Sequence, residues 1–157
     1  MQTSEIAPLL AGLCSELANG APAHYAFVLN GGDIGMLASL DRLSAEDASR
    51  AADGGATIAA HVRHFTYGLS LINTWGRDGG NPFGSADWGE AWKTTSVDAS
   101  TWIRLRSELR SELEQWLKVL ATARDAAPIE MSGMMASVVH LAYHLGAIRQ
   151  IAKAARG

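Results

Sequence analysis

Cysteine is almost missing from this sequence: Cys14 is the one example among 157 residues. A disulfide framework needs cysteines in pairs, so the fold has to rest on a hydrophobic core, and the composition suits a reducing compartment. The chain contains no run of about 18 apolar residues, the length needed to cross a bilayer. Its first stretch, MQTSEIAPLLAGLCSEL, has no basic start, and Glu5 and Glu16 bracket its short apolar run, so it does not read as an export signal. A cytoplasmic protein with no membrane association is expected. A basic excess is also absent. The net charge is −3 with both signs intermixed, which argues against nucleic acid as a partner. Period-two alternation of apolar and polar residues never persists, so no strands are expected. The glycine-containing NGGDIG stretch (Asn30 to Gly35) lacks the Lys-Ser/Thr of a phosphate loop. No His-Glu-x-x-His occurs, which excludes a zincin-type protease.

What is present is helical periodicity. Hydrophobic residues make up 48% of the chain and charged residues 18%, enough for one domain over residues 1–157 to bury a core of its own. Ile6, Leu9, Leu10, Leu13 and Leu17 form a first stripe, ended by Asn19-Gly20. Cys14 lies beside it as a small core residue. Gly31-Gly32 reads as a turn, with Asp33 as the cap of a short helix through Ile34, Leu37, Leu40 and Leu43. Ser44 with Asp47 resembles a capping box. Ile58, Val62, Phe65, Leu69 and Ile72 make a second long seam behind a Thr57 cap. A third seam runs through Trp102, Leu105, Leu109, Leu113, Trp116 and Leu120, with a solvated charged face opposite. Ser132 is expected to cap the last helix, which runs to near Arg156-Gly157. Between the second and third long helices lies a glycine-rich connector, residues 76–97, carrying Phe83, Trp88 and Trp92. Connectors this long are uncommon without a task, so it reads as a flap over a site or a crossover pinned by its aromatics.

Four of the five histidines fall on two of these helices. His140 and His144 are one turn apart on the last helix, about 40° from eclipsed, so both imidazoles point the same way. Val138, Val139, Leu141, Leu145, Ile148 and Ile151 surround them with apolar side chains, so no wet surface is expected here. His61 and His64 lie on the inner arc of the second helix, and periodicity does not choose between them. His24, next to Tyr25, reads as a surface turn residue. Tyr143 is about 100° from the direction of His144 and is expected to pack on a neighbouring helix. Unpartnered imidazoles in a core cost desolvation, and one divalent ion satisfies several at once. Three histidine ligands leave a coordination position open. Imidazole suits zinc, nickel, iron and copper, so the ligands do not name the metal.

These residues resemble a known family. Thr57-Ile58 followed after five residues by His64, together with His140, His144 and Gly146 in HLAYHLGAIRQ, is similar to the DinB-like (DinB/YfiT-type) superfamily of four-helix-bundle metalloenzymes. Asp87-Trp88 fits one branch of it, and the likeness covers roughly residues 22–152. The resemblance implies an all-α four-helix bundle of DinB-like type. It implies His64, His140 and His144 as ligands of a divalent zinc, nickel or iron ion. It also implies a small-molecule substrate, a low-molecular-weight thiol partner in some branches, and a homodimer. His61 becomes the candidate catalytic base one turn away, since an unperturbed imidazole titrates near neutrality. Ala147 departs from the pattern, in which many relatives carry Gln; Arg149 and Gln150 are the polar residues nearest to replacing it. Two functional classes follow: a metal-dependent hydrolase or thiol transferase, and a non-catalytic metal-binding or assembly protein of the same fold. A metal-free core of histidines is the third reading.

Overall fold

The computed structural model describes residues 3–155. Among these the chain is all-helical. Six α-helices run in order: α1 (Ile6–Asn19), α2 (Gly35–Asp41), α3 (Ala45–Ala48), α4 (Ile58–Asp78), α5 (Ala99–Ala121) and α6 (Pro128–Ile151). The nearest thing to a strand is an isolated bridge between Ala51 and Thr57.

The four long helices close a ring of contacts: α4 on α5, α5 on α1, α1 on α6, and α6 back on α4. Their apolar seams explain this. Every residue of the α4 seam (Ile58, Val62, Phe65, Leu69, Ile72) and of the α5 seam (Trp102, Leu105, Leu109, Leu113, Trp116, Leu120) is buried. Within this core the two indole N–H groups find acceptors, Trp102 on the Leu43 carbonyl and Trp116 on the Ser137 hydroxyl, both at 2.8 Å. α2 packs on α1 and α5, and α3 on α4 and α5.

Local chemistry sets the helix starts. The Thr57 hydroxyl accepts from the Ala60 N–H, and Asp98 from the Thr101 N–H. Ser44 and Asp47 form the reciprocal capping box. At the other end of α1, Gly20 has φ 109° and lies so close to the next segment that a Cβ would come 2.6 Å from the Asp33 carbonyl oxygen. Only glycine permits that conformation and that approach.

Several expectations are corrected. Asp33 does not cap α2; Ile34 holds that position, and α2 ends at Asp41. The Asp33 carboxylate instead forks onto Arg149 of α6 at 2.7 and 2.8 Å and accepts from the Gly35 N–H. Ser132 is not the start of α6, which begins a turn earlier at Pro128. Proline has its φ preset and no N–H to satisfy, which favours the first helical position, and Glu130 reaches back to the Ala127 N–H at 2.7 Å. α6 ends at Ile151 rather than near Arg156-Gly157, which lie outside the described residues. Val139 and Tyr143 are exposed, so Tyr143 does not pack on a neighbouring helix. His24 is exposed, as expected of a surface turn.

Candidate metal centre

α4 and α6 pack against each other and bring the two histidine pairs together. His61 and His64 come from one helix, His140 and His144 from the other. The buried neighbours Val62, Phe65, Leu141 and Leu145 fix both helix faces. His144 is fully buried, His61 is 8% exposed, and His64 and His140 are half-buried.

One ring nitrogen from each of His64, His140 and His144 lies within 4.8 Å of the other two. His144 is the hub. Its Nε2 is 2.8 Å from Nε2 of His140, and its Nδ1 is 3.0 Å from Nδ1 of His61. A neutral imidazole has one donor and one acceptor nitrogen, so His144 donates on one side and accepts on the other. The third candidate ligand differs: Nδ1 of His64 is buried with no hydrogen-bond partner. Leaving a buried acceptor unsatisfied is costly, and a metal bond would satisfy this lone pair.

The electrostatics keep the cluster neutral. Burial is the main force lowering the pKa of all four histidines, and their mutual repulsion adds to it at His61, His140 and His144. At His64 a hydrogen bond to the Trp88 main chain works the other way. His144 is lowered to about 2. Neutral imidazole is the metal-binding form, so these rings hold their lone pairs ready in mildly acidic solution. The donor set fits a divalent ion of the imidazole-preferring group. A tetrahedral ion with bonds of about 2.0–2.1 Å spaces its nitrogens about 3.4 Å apart. His140 and His144 would therefore part by about half an ångström.

The connector covers the site. Trp92 stacks on His64 with ring centroids 4.3 Å apart and meets His61 edge-on at 5.2 Å. Trp88 lies 5.6 Å from His64. Besides the bond from His64 to the Trp88 main chain, three others tie this cover to α4 and its cap: the Thr57 hydroxyl to the Thr94 carbonyl (2.6 Å), Arg63 to the Thr94 hydroxyl (3.1 Å), and the Asp87 N–H to the Tyr67 hydroxyl (3.2 Å). From sequence this connector reads as a flap over a site or a crossover pinned by its aromatics, with no sign that Trp92 would stack on a candidate ligand.

Arg149 is committed to Asp33 and to the Ala155 carbonyl, and Gln150 is exposed. Cys14 also takes no part. It is buried in the core, and burial pushes its thiol up to about 12. No described helix is long and apolar enough to cross a membrane.

Comparison with protein-family models, with curated proteins and with solved structures finds no significant match to this chain.

Proposed function

We propose that this chain is a divalent-metal-dependent enzyme of the DinB-like four-helix-bundle type, with His64, His140 and His144 as its metal ligands. One observation carries the reading. His64, His140 and His144, from two helices, each bring a ring nitrogen within 4.8 Å of the others, and Nδ1 of His64 is buried with no hydrogen-bond partner. The ring of four long helices and the motif around His140 and His144 support the family assignment.

A bound ion of this kind supplies Lewis acidity at its open position, polarising a carbonyl or lowering the pKa of water or a thiol. The rest is the work of the chain. His64, His140 and His144 present neutral lone pairs. Nδ1 of His61 accepts from the Nδ1–H of His144 and so fixes the direction of its other nitrogen, as partners of metal-bound histidines commonly do. With Nδ1 engaged as the acceptor, His61 carries its own proton on Nε2 and can give that proton to a reacting group rather than take one. Trp88 and Trp92 exclude water from above, and Phe65 closes the floor, its ring 5.3 Å from His140 and 5.6 Å from His144. The reaction class is hydrolysis or thiol transfer on a small molecule, in a cytoplasmic homodimer.

The cobalt-substituted protein tests this. An open site gives a visible spectrum that shifts with azide or a small thiol, and the cobalt leaves to a chelator without unfolding. A spectrum that ignores both ligands, with cobalt released only on melting, identifies an inert structural ion.

A further inference from the structure

Beside the histidines, between α4 and α6, lies a cavity of about 200 Å³. Phe65, Leu69, Ile72 and Ala136 contribute to its walls, and Phe83 and Trp88 of the connector also line it. His140 is the one ionisable side chain in the lining. The Ser137 hydroxyl, also present, is used up: it donates to the Met134 carbonyl and accepts from the Trp116 indole. Apart from His140 and the Trp88 indole, the lining offers a ligand no uncommitted polar side chain.

Gly68 gives this space its shape. A glycine inside a long helix weakens it, so its presence needs a reason. The backbone gives none, because Gly68 is not among the residues with positive φ. Packing gives none either. An added Cβ would stand 3.5 Å from Cε1 of His140, 3.7 Å from its Nδ1 and 3.7 Å from the Trp88 ring, all ordinary contacts. What glycine does at this position is keep a gap open between a candidate metal ligand and the aromatic cover. The cavity shares Phe83, Gly133 and Ala136 with a wider groove lined by Trp75, Asn81 and Ile129.

We infer that this cavity takes the apolar part of the substrate, a short alkyl chain or a single aromatic ring, while the reacting group sits at the histidines. The inference rests on the metal-centre reading above and names the substrate class for it: a small amphipathic molecule with a metal-ligating head. Size sets the limit. An apolar cavity of about 150 Å³ holds a benzene, so about 200 Å³ holds one ring with a carbon or two more, or a chain of about six carbons. A hydrophilic thiol cofactor finds no partners in these walls and has to approach from another side.

The zinc-loaded protein, titrated calorimetrically with linear hydroxamates from acetohydroxamate to octanohydroxamate, tests this. Affinity should rise about fourfold per methylene and level off near six carbons. Gly68→Leu on α4 and Ala136→Phe on α6 fill the space from two walls. Each should keep its zinc and lose the gain with chain length; two independent variants guard against one that misfolds. Equal affinity along the series at full zinc occupancy, or a gain that survives both substitutions, overturns the inference and leaves the metal centre standing. A protein that takes up no zinc overturns the metal-centre reading and the inference with it.

Discussion

Acidifying the metal-free protein should unfold it early, and His144 sets the size of the effect. Burial, backed by repulsion from His140, His61 and His64, lowers its pKa from the ordinary 6.5 to about 2. In the unfolded chain it titrates near its ordinary value. Below that value the unfolded state binds a proton that the folded state refuses, so stability falls as pH falls. At pH 5 the loss from His144 alone is about 2 kcal/mol relative to pH 7.5. His61, His64 and His140 shift in the same direction and deepen the loss. Glu16 and Asp33 have lowered pKa values, so their contributions are lost only as pH falls through the carboxylate range. Urea titrations between pH 7.5 and 5.0 isolate the histidines. With a slope of about 2 kcal/mol per molar, the midpoint should drop by about 1 M or more. His144→Leu should flatten the dependence by about 2 kcal/mol over that range. A midpoint constant with pH, or a variant as pH-sensitive as the wild type, would refute the claim that the cluster is buried and neutral.

Other substitutions separate the site from its frame. His61→Ala should keep the metal but weaken its binding about 10- to 100-fold, read by competition with a chromophoric chelator; complete loss would make His61 a ligand. Asp33→Asn removes the charge from the fork that Asp33 makes on the largely buried Arg149 and should cost about 1–3 kcal/mol in urea unfolding, with metal binding unchanged. Ser137→Ala strips the buried Trp116 N–H of its acceptor and should cost about 1–3 kcal/mol; a neutral result would mean the indole finds water.

Features set by neighbours in sequence were legible before the structure. The α4 and α5 seams needed only a 3.6-residue period, and Thr57 and the Ser44–Asp47 box are local chemistry. The grouping of His140 with His144 follows from one helical turn. His61 and His64 could not be ranked by the same logic, because both lie on the buried arc; their roles depend on which nitrogen meets α6. What joins distant segments stayed hidden. Asp33 and Arg149 are 116 positions apart, and a helix cap was an equally reasonable local role for Asp33. Glu16 was passed over although it stands on a face of α1 that is otherwise apolar. It is 4% exposed and accepts the N–H groups of Phe27, Val28 and Leu29, holding the following loop. Burial pushes its carboxyl pKa up, and those three amides outweigh it and hold it below the usual range. A lone acid among apolar residues at helical spacing was the available signal. The Trp92 stack on His64 depends on how a long connector folds back, which no periodicity encodes.

The central claim is tested most directly by the metal content of untagged protein, measured by mass spectrometry beside His64→Ala and His144→Ala. About one divalent ion per chain, lost in both variants while helicity is retained, is the outcome the three-histidine centre requires. No ion in the wild type after reconstitution with zinc, nickel or iron would contradict it and leave a bundle stapled by a buried histidine network.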